Sequence, residues 1–518
     1  MGEDGVCDRI HSRKYVLEPF VRTMDFVKNR VFVCKKVLIS LCAETIKVRK
    51  GFVRGKADSK VSGSMSNTNK SISLLFDEGT FVETGAYITV GNDDSKASGA
   101  TCGYGAINGA LVFAFAQDFS VEKGALGRAQ AEKICALYDM ALKNGAPVIG
   151  VFASAGVRVK EGSAALAAYG KLLAKINAAS GVIPQIAVVD EVCSGLSATA
   201  AAMFDLVIAN KDSKFYITPP SVAKANGVSE AGSAAYAFEN GNIDIICDTK
   251  EEALAKARDI VSVLPQNSAQ GYAYAEADDD SARAVAELEN AKDIREAAAI
   301  IADNGRYTEL KADFAPNALT AIASLGQITV GICGLGGALG AAEAKKISSF
   351  ISFCDNFSMP VITVVDSCGA DHESLDEILP GEFAKLASAY AGANCPKITY
   401  VLGKAYGASF TLVGSKALGA DIVYAAPKAE ISVLSPEASV QFMFADEIKA
   451  ADDSAAKRAE LLNKWKSEEA SPEKAAANGS IDDVVAYAET RARIISAVEM
   501  LFAKISGNPA KKHSKLPF

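Results

Sequence analysis

An internal repeat constrains the fold of this chain more than any other feature of its sequence. The segment PVIGVFASAG, which begins at Pro147, shares six of its ten residues with PVITVVDSCG, which begins at Pro360, 213 positions later. PQIAVVDEVCSG, from Pro184, matches PKITYVLGKAYG, from Pro396, at a spacing of 212. Further along, FDLVIANKDSKFYITPP corresponds to ADIVYAAPKAEISVLSP. Ordered matches at a nearly constant spacing predict two copies of one domain.

Each copy alternates short apolar strands with segments that have a helical composition. The β-branched runs at 148–151 and 361–365 end in turns of small residues, and Ala-rich segments follow at 164–178 and 381–391. This alternation is typical of parallel βαβ units, and unbroken apolar strands suit a sheet that is covered on both faces. The sequence therefore predicts an α/β protein with two tandem domains, at 66–285 and 286–518.

The first 65 residues differ from the rest of the chain. Residues 1–64 carry 14 Lys and Arg against 7 Asp and Glu, a net charge of +7 that leaves −15 for the remainder of a chain of net charge −8. Their apolar run at 31–43 is interrupted by Lys35 and Lys36, unlike the core of a signal peptide. We interpret residues 1–65 as a basic extension outside the core, from an upstream start, a targeting segment or a cloning remnant. An ordinary N-terminal helical extension is the alternative.

Composition excludes several classes of function. A pI near 5.3 argues against a nucleic-acid partner. The 11 cysteines form no CxxC pair and no zinc-ligand spacing, which indicates reduced thiols in a cytosolic protein and no metal site. No segment of 18 residues is apolar throughout, so no membrane span is predicted.

Two turns of small residues follow buried strands in each copy. They are Ser154-Ala155-Gly156 and Cys193-Ser194-Gly195 in the first copy, and Ser367-Cys368-Gly369 and Tyr406-Gly407-Ala408-Ser409 in the second. Ligands of such sheets bind beyond the carboxyl ends of the strands, where the free N–H groups of a following helix favour anions. Two adjacent turns can therefore form an oxyanion hole. Tight turns that only require glycine are the simpler interpretation, but their repetition in both copies favours a function.

The scarcity of histidine limits the chemistry. His11, His372 and His513 are the only histidines, and a Ser-His-Asp triad or a histidine acid–base pair is therefore not expected. No HExxH motif or P-loop occurs, and the Gly-rich segment at 334–340 lacks the features of a dinucleotide site. The sequence predicts a site that stabilises oxyanions through its backbone.

The chain resembles the carboxyltransferase subunits of biotin-dependent enzymes, such as the β subunit of propionyl-CoA carboxylase and the α subunit of methylmalonyl-CoA decarboxylase. The resemblance covers roughly residues 68–518. The segments that carry it are LFDEGTFVETGAYI (75–88), GALVFAFAQDFSVEKGALG (109–127), SAGVRVKEG (154–162), ASGVIPQIAVV (179–189), FISFCDNFSMPVITVVD (350–366), CPKITYVLGKAYGAS (395–409), ETRARIISAVEML (489–501) and NPAKKHSKLPF (508–518).

The resemblance implies two crotonase-like domains, the first binding an acyl-CoA and the second binding biotin. In this family, backbone amides of the first domain hold the thioester enolate and amides of the second hold the biotin oxyanion, while a biotin nitrogen takes the substrate's α-proton. Matched by position, the amide pairs fall on Ser194 and Gly195 and on Ala408 and Ser409. The matching substrate-binding positions are Ala155, Gly156, Gly369, Tyr406, Gly407 and Thr411, the last at a place where the family selects among acyl groups.

The chain departs from the family pattern around these turns. The family has Ser-Gly-Gly-Ala-Arg where residues 154–158 read Ser-Ala-Gly-Val-Arg, and Gly-Gly-Ala where residues 407–409 read Gly-Ala-Ser. Changes at 193–196 and 367–370 are similar. Backbone amides survive such changes but the pocket shape does not, so the acyl group is not predicted. Arg158, Lys160 and Lys404 are either solvated loop charges or contacts for CoA phosphates.

Biotin must arrive on another chain, because no attachment tetrapeptide of the Ala-Met-Lys-Met kind occurs. The resemblance implies a biotin carboxyl carrier protein as partner, together with either a biotin carboxylase or the membrane subunits of a sodium-pump decarboxylase. It also implies a homohexamer in which the first domain of one chain faces the second domain of another. We expect a cytoplasmic protein, peripheral to the membrane if it serves a decarboxylase pump.

Two other functions stay open at this point. A non-catalytic, degenerate scaffold subunit of a carboxylase complex would explain the departures at the turns. A crotonase-type hydratase or isomerase would share the fold, but such enzymes use a single domain, and the duplication argues against it.

Overall fold

A computed structural model describes residues 67–89, 98–228, 230–371 and 378–505. The extension predicted at 1–65 and all three histidines lie outside these residues. Within the described part of the chain, no helix combines the length and the apolar character that crossing a membrane requires.

The first half of the described chain contains eight strands and seven α-helices. The strands are β1 (Val82–Thr84), β2 (Ala100–Ile107), β3 (Ala110–Gln117), β4 (Val148–Ser154), β5 (Gln185–Ser194), β6 (Leu206–Asn210), β7 (Lys214–Tyr216) and β8 (Ile245–Cys247). The helices are α1 (Asn67–Leu75), α2 (Arg128–Asn144), α3 (Ser163–Ala179), α4 (Leu196–Ala202), α5 (Pro220–Ala225), α6 (Ala234–Glu239) and α7 (Lys250–Val263).

The second half again contains eight strands, with nine α-helices. The strands are β9 (Tyr307–Glu309), β10 (Ala318–Leu325), β11 (Ile328–Leu339), β12 (Val361–Ala370), β13 (Lys397–Tyr406), β14 (Ile422–Ala425), β15 (Glu430–Ser432) and β16 (Asp483–Val484). The helices are α8 (Ile294–Ile301), α9 (Ala341–Asn356), α10 (Leu379–Gly392), α11 (Ala408–Leu412), α12 (Pro436–Met443), α13 (Ala445–Ala450), α14 (Ser454–Glu468), α15 (Pro472–Ala477) and α16 (Thr490–Met500).

The two sheets have the same topology. The first has the strand order β1-β2-β3-β4-β5-β6-β8, with β7 paired to β5, and the second has β9-β10-β11-β12-β13-β14-β16, with β15 paired to β13. Val148 pairs with Gln185 in the first sheet, and Val361 pairs with Lys397 in the second. Strands β4 and β12, which hold the repeated segments, therefore occupy equivalent positions, and the predicted duplication of an α/β unit is confirmed.

One part of each sheet is antiparallel rather than parallel. Strands β2 and β3 form a hairpin, as do β10 and β11. Their two-residue turns are Asn108-Gly109 and Gly326-Gln327, and all four residues have positive φ. A turn this short joins only antiparallel strands, and positive φ at both positions matches the right-handed twist of a hairpin.

Helices cover both faces of the first sheet, as the unbroken apolar strands predict. Alternate residues of β5 enter different clusters: Ile186 and Val188 pack with α1 and α7, while Ala187 and Val189 pack with α2 and α3. Because successive side chains of a strand point to opposite faces, a strand buried on both sides must be apolar throughout. The core fixes these strands and thereby the turns at their carboxyl ends. The boundaries at 285 and 286 stay a prediction.

Candidate active site

The two predicted turns of each half lie side by side because they follow neighbouring parallel strands. Ser154 at the end of β4 pairs with Cys193 of β5, and Ser367 of β12 pairs with Ala405 of β13. A Cβ added to Gly156 would lie 3.4 Å from the carbonyl oxygen of Ser194. The structure thus brings the predicted residues of each half together, although the loop sequences differ.

A glycine of unusual conformation connects each second turn to a short helix. Gly195 has φ 59° and ψ −128° before α4, and Gly407 has φ 52° and ψ −120° before α11. Only glycine adopts this region without strain. The two glycines lie 212 positions apart, at the spacing of the repeat, and they turn the chain so that the first amides of each helix lie at the carboxyl end of the sheet.

The amides at these turns differ in whether they already have an acceptor. The Gly195 amide donates to the Tyr216 carbonyl at 2.9 Å, and the Gly407 amide donates to the Ser432 carbonyl at 2.9 Å. No backbone acceptor among the described residues serves the next three amides of either helix, as expected for the first turn of a helix. These free donors are Leu196, Ser197 and Ala198 in the first half and Ala408, Ser409 and Phe410 in the second.

This pattern changes the predicted donor set in one half only. Ala408 and Ser409 are free, and their role as oxyanion donors stays a prediction. Gly195 is not, because β5 continues to pair with β7 through this residue, so its hydrogen bond argues against it as an oxyanion donor. The structurally equivalent pair in the first half is Leu196 and Ser197.

The amides of the first turns differ in how strongly they are hydrogen-bonded. The Ala155 amide donates to the Lys123 carbonyl at 3.0 Å, so it is not free. The Gly156 amide lies 3.2 Å from Ser154 Oγ, and the Gly369 amide lies 3.4 Å from Ser367 Oγ. These distances lie at or beyond the long end of the usual range for hydrogen bonds, so both contacts are weak. Gly156 and Gly369 are therefore candidates for an additional oxyanion donor in each half.

Tyr406 and Thr411 flank the second site in different ways. The Tyr406 hydroxyl donates to the Glu430 carboxylate, which Lys466 also contacts at 3.0 Å. Burial, with the Glu430 carboxylate nearby, raises the pKa of Tyr406 above its ordinary value. This hydroxyl is committed within the protein. Thr411 is exposed, and its amide donates to the Gly407 carbonyl at 3.2 Å. Its predicted role in acyl selection stays a prediction.

Arg158 is not a free anion contact. Its side chain is only 4% exposed, with Nε 3.3 Å from Glu122 and Nη1 3.2 Å from Glu161. Glu161 also accepts a hydrogen bond from the Arg128 amide at the start of α2. Two carboxylates thus compensate the charge of the buried guanidinium. We therefore no longer consider Arg158, unlike Lys160 and Lys404, as a contact for CoA phosphates.

Sequence reasoning missed Ser197. Its hydroxyl is buried and lies 2.6 Å from the Tyr169 hydroxyl, behind the two turns of the first half. The repeat spacing of 212 that relates Gly195 to Gly407 also relates Ser197 to Ser409. Extending the alignment two residues past the glycine would have found it.

The family model of the carboxyl transferase domain matches residues 66–516, and the chain belongs to this family.

Three relatives illustrate its range. The chain is 36% identical over 477 residues to a propionyl-CoA carboxylase carboxyltransferase subunit of Haloferax mediterranei, covering 86% of this chain and 92% of that protein. It is 34% identical over 493 residues to methylmalonyl-CoA decarboxylase subunit alpha of Propionigenium modestum, covering 88% and 94%. The crystal structure of transcarboxylase 12S, a hexamer with methylmalonyl-CoA bound, superposes with a TM-score of 0.83 at 35% identity, covering 87% and 92%. The resemblance, the crotonase-like fold and the enzyme class are confirmed.

Proposed function

We propose that this protein transfers a carboxyl group between biotin on a separate carrier and an acyl-CoA of the propionyl or methylmalonyl type. The observation that carries the proposal is the duplicated set of free amides, Leu196 and Ser197 in one half and Ala408 and Ser409 in the other. Two equivalent oxyanion sites suit a reaction in which two different molecules each develop negative charge on oxygen. The named substrates of the relatives support the choice of acyl group.

The residues present fit both the acyl-CoA and biotin. Each half of the protein would hold a developing oxyanion through backbone N–H donors, which favour anions and need no ionisable side chain. A Cβ on Gly369 would lie 3.7 Å from the Tyr406 carbonyl oxygen, at ordinary van der Waals distance, so glycine keeps the second turn free of a side chain that would pack against it. Biotin, when bound, supplies the carboxyl carrier and a nitrogen base.

The chain itself then has two tasks. In the first half, the amides of Leu196 and Ser197, with that of Gly156, hold the thioester oxygen while negative charge moves onto it, as the α-carbon loses its proton in carboxylation or its carboxyl group in the reverse direction. In the second half, the amides of Ala408 and Ser409, with that of Gly369, hold the second oxyanion. Fixed donors stabilise developing charge without reorganisation, which is the largest contribution in many enzymes.

The survival of both amide sets favours catalysis over a degenerate scaffold. Substitutions at the turns changed side chains, but both helix starts keep three free amides at equivalent positions. A hydratase or isomerase would not require the second set. Relatives that carboxylate and relatives that decarboxylate are similar at comparable identity, so we assign the transfer reaction without a direction.

We further propose a homohexamer in which sites of two copies face each other. Each half exposes apolar side chains shortly after the short strand that pairs with its second turn, namely Ile217 and Val222 after β7 and Val433 and Phe442 after β15. A twofold axis would place one patch against the other in a dimer, and a threefold axis would relate three such dimers in the hexamer. The same proposal includes a biotin carrier protein as partner, together with a biotin carboxylase or the subunits of a decarboxylase pump. It also includes a location in the cytoplasm or at the periphery of the membrane. Sedimentation of the purified chain as a monomer would contradict the hexamer.

Proline at the first helical position tests the backbone donors directly. Proline is well tolerated there and removes only the N–H group. We expect Leu196→Pro and Ala408→Pro each to lower the rate of transfer from methylmalonyl-CoA to free biotin by about 10²- to 10³-fold, the usual effect of losing one oxyanion donor. Ala408→Gly keeps the amide and is the matched control. Active proline variants with unchanged melting temperature would contradict the proposal.

A further inference from the structure

Each half of the molecule contains two buried serines at equivalent places, one at the first turn and one in the helix that follows the second. They are Ser154 and Ser197 in the first half and Ser367 and Ser409 in the second, and none is more than 1% exposed. Buried hydroxyls require partners, and a duplicated pair calls for a common explanation.

In the second half the two serines contact each other. Ser367 Oγ has one proton for two acceptors, the Gly337 carbonyl oxygen at 2.5 Å and Ser409 Oγ at 2.7 Å, and it accepts from the Gly369 amide at 3.4 Å. Ser367 belongs to β12, whereas Ser409 lies in the first turn of α11. One hydroxyl contact therefore connects the segment that carries Gly369 to the helix that carries the free amides.

In the first half a tyrosine lies between the serines. The Tyr169 hydroxyl, on α3, donates to the Gly156 carbonyl at 3.1 Å and lies 2.6 Å from Ser197 Oγ. Since its single proton goes to Gly156, Ser197 is the donor in the second contact. Tyr169 also contacts the Ser154 hydroxyl, and burial raises the pKa of Tyr169 to about 12, so the phenol keeps its proton at neutral pH. The result is again a bridge between the two turns.

We infer that these hydroxyl bridges position the two turns of each half relative to each other and so set the spacing between the amides that receive an oxyanion. Tyr169, Ser197, Ser367 and Ser409 are then positioning residues. They are not nucleophiles, because no carboxylate or imidazole of the described residues contacts their hydroxyls. This inference rests on the proposed function, which assigns the amides their role.

Alanine variants test the bridges through their coupling. Removing one hydroxyl should lower kcat by about threefold to tenfold, the range expected for one hydrogen bond. Ser367→Ala combined with Ser409→Ala should be no worse than Ser367→Ala alone, because Ser367→Ala already removes the contact between the two hydroxyls. Ser197→Ala combined with Ser409→Ala should instead multiply their effects, because they break separate bridges in separate halves. Tyr169→Phe should behave like Ser197→Ala.

The control is the loss of a buried serine hydroxyl away from the turns. Ser213 is 2% exposed and its hydroxyl donates to the Asn210 carbonyl at 2.7 Å. Ser213→Ala should lower the melting temperature about as much as Ser409→Ala and leave kcat unchanged. Hydrogen exchange supplies a readout that does not depend on activity: Ser409→Ala should accelerate exchange in peptides covering 404–413 but not 191–200, and Ser197→Ala should do the reverse.

The outcomes separate this inference from the proposed function. A wild-type protein without transfer activity would overturn the proposed function, while half-specific exchange changes would still support the bridges. An active wild type in which Ser367→Ala and Ser409→Ala multiply, or in which exchange is unaffected in both halves, would overturn the positioning role.

Discussion

At the scale of single residues, Gly195 and Gly407 determine where the free amides lie. Their positive φ values turn each chain from a strand into a helix, while their own amides stay in the sheet. The surroundings of the two glycines differ. A Cβ on Gly407 would lie 2.9 Å from the Val433 carbonyl oxygen, whereas a Cβ on Gly195 would meet no atom within 4 Å. At Gly195 only the backbone conformation disfavours a side chain. At Gly407 the conformation and a clash with the Val433 carbonyl both disfavour it.

Alanine substitutions at these glycines should therefore differ in severity. We expect Gly195→Ala to destabilise the protein by about 1–3 kcal/mol through backbone strain, and Gly407→Ala by more, because the Val433 carbonyl must also move. Both should lower the transfer rate. Thermal unfolding and initial rates measure the two effects. Gly170→Ala, within α3 and with open space around it, is the control and should not destabilise. Equal losses for Gly195→Ala and Gly407→Ala would contradict this account.

Asp205 gives the protein a specific pH dependence. Burial raises the pKa of its carboxyl group from 3.8 to about 7, although the Gln185 amide donates to it. Between these values the folded state holds a proton that the unfolded state has released. Stability should therefore fall as pH rises from about 4 to 7.

Asp205→Asn removes this titration and keeps an acceptor for the Gln185 amide. The variant should gain stability relative to the wild type as pH rises through this window, and the difference should level off above pH 7. Urea unfolding at a series of pH values measures it. Asp421→Asn is the matched control, since Asp421 accepts from the Lys397 amide in the equivalent place but has Lys504 within 2.8 Å. Parallel stability profiles for Asp205→Asn and the wild type would contradict the expectation.

At the scale of elements, the short strands β7 and β15 decide which amides are available. Each pairs with the end of a long strand and accepts the amide of the glycine that follows, through Tyr216 and Ser432. The donors therefore begin at the first residue of α4 and α11.

Another element-level contact joins the C-terminal helix α16 to the link between the sheets, where Arg491, with no exposed surface, contacts Asp279 and Asp303.

Replacing Arg491 should be among the more damaging changes away from the site. Arg491→Met would leave the buried carboxylates of Asp279 and Asp303 without this cation, and breaking a buried pair in this way typically costs about 3–5 kcal/mol. We expect a large fall in melting temperature with little change in KM for the acyl-CoA of the remaining folded enzyme. Arg493→Met, which removes the exposed pair between Arg493 of α16 and Glu489 just before that helix, is the control and should be nearly neutral. Similar losses for both variants would show that burial is not the cause.

At the scale of the whole molecule, we expect the duplicated sheets to form the catalytic unit without the basic extension. The family match begins at residue 66, which supports this expectation. A chain that begins at Met65 should fold, with a melting temperature and transfer rate close to those of the full chain. Circular dichroism and the transfer assay provide the measurement. Insoluble protein or lost activity after truncation would show that the extension contributes to the core.

The sequence alone determined the duplicated fold, because strand and helix patterns arise from local composition and the repeat marks equivalent strands. It also located the four turns, since small residues after buried strands are a local signal, and the resemblance supplied the chemistry. Only the tertiary structure decided which amides are free. The bond from Gly195 to Tyr216 and the bridge from Tyr169 to Ser197 join residues 21 and 28 positions apart. Such contacts depend on how strands and helices pack, and they cannot be predicted from the residue types at either end.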